Sequence, residues 1–256
     1  PYQSLFMRQD LNAYRFITGE QEQALQSTCR DASLALRLIG SHGALLESII
    51  GVRLLARNID LLARMRAELP PNHPLPADCE ALRPQPAETI ALCPLMYSDW
   101  LEFRHIMRQD DTAIIADRQR DIAEKALYFI LMRQAEAQYL VENTKYCAPA
   151  MLAAVRRDEV LQPTLDRWPR YCSPLNPLCR MGRPYSRFYQ ARLLNVNRYL
   201  RAFAALRNPA ALLPQGYRRE DGKLYFLRHP RFNHEKETWQ VVALPLPGSR
   251  INESSR

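Results

Sequence analysis

The side chains able to do acid–base or metal chemistry are few and poorly arranged for it. His229 and His234 stand near Glu235 and Glu237, a composition that can hold a divalent ion. Their spacing follows no ligand periodicity, so a solvated loop is the simpler reading. Ser41-His42-Gly43 sets a hydroxyl beside an imidazole. Adjacent residues do not make a nucleophile and its base, and a helix N-cap explains Ser41 better. Asp110-Asp111 and the Asp99/Glu102 pair are carboxylate pairs such as any helical protein carries. There is no G-x-S-x-G elbow, no H-E-x-x-H and no phosphate loop. The expectation is therefore no metal, no cofactor and no catalytic residue. Because triads are recognised by geometry and not by order, this leans toward a binding protein without excluding an enzyme.

The cysteines carry more information. There are six, Cys29, Cys79, Cys93, Cys147, Cys172 and Cys179, with no C-x-x-C pair, which argues against a zinc ribbon or thioredoxin motif. Cys79 and Cys93 flank Arg83-Pro84-Gln85-Pro86, and Cys172 and Cys179 flank a Pro-rich hexapeptide. We expect a disulfide across each of these loops, leaving Cys29 and Cys147 as the remaining pair. Disulfides imply an oxidising compartment.

Charge is the third chemical feature. The net charge is +8, and residues 168 to 219 contain ten arginines and no acidic residue. On a helix from residue 184 to 207, Arg183 at its entry, Arg187, Arg198 and Arg201 fall within about 60° of one another. With Arg180 they form a candidate partner-binding surface. An acidic protein is the expected partner, since arginine forks pair with carboxylates; an anionic membrane surface is the second candidate. Nucleic acid is not expected, because the aromatic residues of this helix face its apolar side. Arg192 points into that apolar side, as Glu47 does on an earlier helix with Asn58 near it. Charges there are costly unless paired, so Glu47, Asn58 and Arg192 are expected in buried polar networks.

The elements that position these groups are mostly helical. Glycine is scarce at 8 residues and proline frequent at 19, in a chain of 256 that is 47% hydrophobic. That is enough for a sizeable core. Helices are expected over 20–39, 41–69, 86–109 (bent at Pro94), 117–143, 149–157 and 184–207. Segment 41–69 is apolar almost all round except for a narrow stripe of Arg53, Arg57, Asp60 and Arg64, which marks a central helix. The run 126–132 covers every face of the 117–143 helix, so that helix is also expected to be buried. Glu220-Asp221-Gly222 between apolar alternations signals a hairpin, with a third strand over 238–244. The fold class is mainly α, an irregular multi-helix bundle with a small C-terminal antiparallel β-sheet. We expect a single domain over 1–256: a helical body over 1–210, a β appendix over 211–247 and a disordered tail over 248–256.

Three segments, Leu-Leu-Glu-Ser-Ile-Ile-Gly-Val at 45–52, Leu-Cys-Pro at 92–94 and Gly-Lys-Leu-Tyr-Phe at 222–226, resemble a loose group of uncharacterised helical periplasmic proteins of Gram-negative bacteria that follow an inner-membrane anchor. The resemblance implies a periplasmic location, with a tether preceding the chain, and assigns no functional residue. Together these features suggest a non-enzymatic protein-binding module. One form is an immunity or inhibitor protein that neutralises a secreted toxic effector such as a lipase. The alternatives are a hydrolase or lipid-processing enzyme of unfamiliar type, and a structural component of an envelope assembly that contacts anionic lipid.

Overall fold

The computed structural model describes residues 3–41, 43, 45–117, 120–163, 173, 176, 186–229 and 239–249, with only the backbone at 186 and 187. Among them are seven α-helices: α1 (Gln3–Ile17), α2 (Gln21–Gly40), α3 (Leu45–Ala67), α4 (Leu92–Ala116), α5 (Ile122–Thr144), α6 (Pro149–Arg156) and α7 (Ser186–Arg207). Strands β1 (Tyr217–Glu220), β2 (Lys223–Arg228) and β3 (Gln240–Pro245) form one antiparallel sheet in that order. The mainly α class with its small C-terminal sheet is what the sequence pattern implies. The chain forms two compact units, one of residues 1–41, 46–90 and 191–256, the other of 42–45 and 91–190.

In the first unit α3 is the central helix its pattern predicts. Val52, Leu54, Leu55, Ile59, Leu62 and Met65 are buried, and between Gly51 and Ala67 the exposed positions are Arg53, Arg57 and Arg64. Gly51 lets α2 approach closely. A Cβ there would lie 2.8 Å from the Ala35 carbonyl oxygen and 2.9 Å from Ile39 Cγ1. Helix α1, not foreseen in the sequence, packs on α2. It is tied down by Arg8, 2.8 Å from the Asp31 carboxylate, and by Asn12, which donates to the same group at 3.2 Å.

Helix α7 is buried nearly all round, with Leu193, Val196, Leu200 and Phe203 inaccessible to solvent. The sheet packs against it through Phe226, whose ring meets Tyr199 edge-on at 5.3 Å and stacks on Tyr217 at 5.4 Å. The sheet is thus a wall of this unit and not an appendix to it. Its hairpin turns at Asp221 and Gly222 with φ of 48° and 69°, the two left-handed residues of a type I′ turn. The expected disordered tail begins too early. Gly248 donates to the Arg66 carbonyl at 3.2 Å and Ser249 to that of Leu246 at 3.1 Å. Residues 250–256 lie outside the described residues.

The second unit pairs α4 with α5. Helix α4 begins at Leu92, so Pro94 sits in its first turn, where a missing N–H disturbs nothing, and no bend is required there. Residues 110–116, left between the helices expected over 86–109 and 117–143, are helical. Buried Asp111 pairs with Arg133 of α5, which holds that turn in place. Asp121 caps α5, its carboxylate accepting from Glu124 N–H at 2.7 Å. The expected burial of α5 is wrong for its first half. Ile122, Leu127 and Ile130 are 87%, 57% and 56% exposed. An apolar run covering every face is buried only where neighbours cover every face, and α5 packs mainly along α4.

The disulfides join Cys29 to Cys79 and Cys93 to Cys147. The expected Cys79–Cys93 pair is therefore wrong, and Cys29 and Cys147, which it left over, each take one of its members. Cys79 lies on a 3-10 turn (Ala77–Ala81) that packs against α2 beside Cys29, and Cys93 opens α4 beside the turn that follows α5. Tertiary packing, and not the shortest loop, brings the sulfurs together. Cys172 and Cys179 lie outside the described residues. Two disulfides suit an oxidising, extracytoplasmic environment. No helix among the described residues is long and apolar enough to cross a membrane.

Candidate anion-binding cleft

A cleft of about 580 Å³ opens in the first unit between α3, α7 and the sheet. Each of its walls contributes cations. From α3 come Arg53 and Arg57, one turn apart, with Val52, Ala56 and Asp60. From α7 come Arg192, Asn195 and Tyr199, and from the sheet Arg228, His229, Val241, Val242 and Leu244. Among the described residues four guanidinium groups therefore face one carboxylate, and that carboxylate is engaged: Asp60 lies 3.0 Å from Arg64 Nε, one turn along the helix.

Neutral groups hold the arginines in place. Arg53 and Arg57 each lie 5.4 Å from the ring centroid of Phe6 on α1, a cation–π contact that positions a guanidinium without neutralising it. Arg228 Nε donates to Gln240 Oε1 at 2.8 Å, and another of its nitrogens donates to the Tyr199 hydroxyl at 3.2 Å. Gln240 stands directly across from Arg228 in the β2–β3 register. Among the described residues Arg53, Arg57 and Arg228 take part in no ion pair. Arg192 is half-buried.

The back of the cleft is rigid. The buried Asn195 accepts from the His229 N–H at 2.7 Å and donates to the His229 carbonyl at 3.4 Å. This two-way clamp on a single residue ties the end of β2 to α7. The His229 ring lies 4.5 Å from that of Trp239, bringing the start of β3 to the same corner. Clustered like charges destabilise an empty cleft and favour an anion within it. Bidentate guanidinium forks select carboxylate or phosphate oxygens. The arrangement can bind and orient an anion.

A second hollow of about 700 Å³ lies along α2 and the 3-10 turn. Its carboxylate is already satisfied. Asp78 accepts from Gln26 at 2.9 Å and from Arg30 at 3.0 Å, and these two bonds hold its carboxyl below the usual carboxylate range. It therefore offers a ligand less than the arginine cleft does.

No family model, no curated protein and no solved structure matches this chain. The site rests on its geometry.

Of the arginines expected to bind a partner, Arg180, Arg183 and the side chain of Arg187 lie outside the described residues. Arg198 and Arg201 are half-buried. Arg198 donates to the Leu227 carbonyl at 2.6 Å and lies 4.7 Å from the Trp239 ring centroid, so it braces the sheet. Of the expected polar network, Asn58 is buried, while Glu47 and Arg192 are half-buried. Only Arg192 lines the cleft. In the sequence the Arg53, Arg57, Asp60 and Arg64 stripe reads only as the exposed side of a central helix, and Arg228 stands out in no pattern. A charged stripe narrow enough to be the one open face of a core helix was the available signal. Among the described residues no three His, Cys, Asp or Glu side chains converge as metal ligands. Ser41 ends α2 instead of capping α3. Its backbone is still helical, and its hydroxyl donates back to the Leu38 carbonyl at 3.0 Å. His42, His234, Glu235 and Glu237 lie outside the described residues.

Proposed function

We propose that this chain is a non-enzymatic periplasmic binding module, tethered by a preceding segment, that captures a protein partner by an acidic segment. One observation carries the reading. Among the described residues four arginines line a cleft whose one carboxylate is paired with Arg64, and Arg53, Arg57 and Arg228 take part in no ion pair there, which makes the cleft cationic. The disulfides agree with an extracytoplasmic site of action. An immunity or inhibitor protein that masks an acidic surface of a secreted effector is the role such a module suits.

The test uses fluorescein-labelled poly-L-glutamate and the oxidised chain, read by fluorescence anisotropy. Binding should weaken at least about tenfold between about 50 and 300 mM salt, as charge pairing at an open site does. The Arg53→Glu/Arg57→Glu variant should lose a comparable factor, and the matching lysine variant less, because an ammonium cannot form the bidentate fork. Equal affinity of the charge-reversed variant would overturn the reading. So would binding to phosphatidylglycerol vesicles with no binding to poly-L-glutamate, which would assign the cations to lipid.

A further inference from the structure

The outer edge of β3 borders the same cleft, and among the described residues nothing pairs with its backbone. The β2–β3 register fixes which groups point outward. Leu246 N–H donates to the Gly222 carbonyl, and antiparallel hydrogen-bonded pairs alternate. Leu244, Val242 and Gln240 therefore exchange hydrogen bonds with Leu224, Phe226 and Arg228, their partners in register. The hairpin gives the same parity, since a two-residue turn closes on the bonded pair Glu220 and Lys223, which turns Leu224, Phe226 and Arg228 toward β3. It follows that Val241 and Ala243 direct their N–H and C=O groups away from the sheet. Among the described residues these groups have no hydrogen-bond partner. Pro245, with no N–H to offer, ends the open stretch.

This edge runs beside the arginine stripe of α3. Val241 lines the cleft together with Arg53 and Arg57, and Gly248, just past β3, is bonded to Arg66 near the end of α3. Strand and helix thus run side by side in the same direction. The Val241 side chain, 63% exposed, points away from the buried face that Leu244 and Phe226 share, yet it lines the cleft. The cleft therefore wraps round the strand's edge. An extended peptide laid on that edge would turn every second side chain toward the guanidiniums.

We propose that the acidic partner segment binds by adding a strand to β3, pairing with the outward backbone groups of Val241 and Ala243 and placing alternate carboxylates among Arg53, Arg57 and Arg192. This rests on the cleft reading above and adds to it a backbone conformation and a register. Strand addition supplies affinity through the main chain and specificity through alternate side chains. It also accounts for an open edge that would otherwise invite non-specific pairing. A second copy of this chain is a poor occupant, because it would bring its own arginines against these.

The test uses a blocked peptide of alternating glutamate and threonine and two derivatives, N-methylated at all glutamates or at all threonines, each titrated against the unaltered chain. In a strand only one of these sets of amides faces β3. One derivative should therefore lose at least about tenfold in affinity, the scale of one or two hydrogen bonds, and the other should bind like the parent. Ala243→Pro removes one outward N–H, leaves the β2 ladder intact and is tolerated at an edge; it should lose a similar factor with an unchanged circular dichroism spectrum. If both derivatives and Ala243→Pro bind like their parents while Arg53→Glu/Arg57→Glu abolishes binding, strand addition is overturned and the cleft reading stands. If the parent peptide does not bind at all, both fall. A homodimer in sedimentation that Ala243→Pro dissociates would give the edge to a second copy and also overturn the proposal.

Discussion

Reducing the two disulfides among the described residues should occur in a fixed order and cost a calculable amount. The Cys29–Cys79 bond closes a sequence separation of 50 residues and the Cys93–Cys147 bond one of 54. The loop-entropy relation assigns each about 4 kcal/mol of stabilisation by restricting the unfolded chain. That is a large part of the 5–15 kcal/mol typical of a whole domain. Access separates them. Cys29 and Cys79 are inaccessible to solvent, whereas Cys147 is exposed and Cys93 half-buried. Thiol–disulfide exchange needs an approach to sulfur, so a mild reductant should open Cys93–Cys147 first and leave Cys29–Cys79 intact until the first unit unfolds. The assay is timed reduction in native buffer, alkylation and peptide mass spectrometry, followed by urea unfolding of the Cys93→Ala/Cys147→Ala and Cys29→Ala/Cys79→Ala variants. Release of Cys29 and Cys79 first would overturn the order set by access, and a loss below about 1 kcal/mol on removing either bridge would overturn its stabilising role.

Three further substitutions probe the packing. Gly51→Ala places a methyl group 2.8 Å from the Ala35 carbonyl oxygen and should destabilise by roughly 1–3 kcal/mol in urea unfolding, as overpacking does. Asn195→Ala strips both bonds from the His229 backbone and leaves a buried N–H unsatisfied; it should cost about 2 kcal/mol and loosen peptide binding by displacing Arg228. Tyr139→Phe removes a hydroxyl that donates to Asp99 and should cost about 1 kcal/mol near neutral pH. Burial and that bond to a carboxylate raise the Tyr139 pKa above its ordinary 10. The wild-type advantage is therefore complete below pH 10 and shrinks as pH climbs above it, so the difference between the unfolding midpoints of wild type and Tyr139→Phe should narrow from pH 9 to pH 11.

Legibility in the sequence followed the range of the interactions. The Asp221-Gly222 turn is local, and its left-handed residues stand where the dipeptide puts them. The centrality of α3 was readable because a helix with a single polar stripe has few other places to be. Disulfide pairing was not, since it depends on the 3-10 turn returning to α2. Nor was the exposure of Ile122, Leu127 and Ile130, because an apolar face states a need for cover without saying whether cover exists. The cleft was half visible. Arg192 drew notice as a charge on an apolar arc, and Arg53 and Arg57 as the open side of a core helix, but nothing in the one-dimensional pattern shows α7 and β2 bringing Arg192 and Arg228 to that side. Helix α7 illustrates the converse. Its one-sided arginines suggested an exposed docking helix, yet Leu193, Val196, Leu200 and Phe203 are buried and Arg198 is spent on the Leu227 carbonyl.

The most direct test of the cleft is the arginine side-chain NMR spectrum, in which each Nε–Hε group gives its own signal. The oxidised chain, labelled with ¹⁵N at arginine, is titrated with the alternating glutamate–threonine peptide. Saturable shifts are expected at Arg53, Arg57, Arg192 and Arg228, with Arg30 and Arg83 unmoved. Shifts confined to other arginines, or small unsaturated drifts spread over all of them, would rule out an anion site in this cleft.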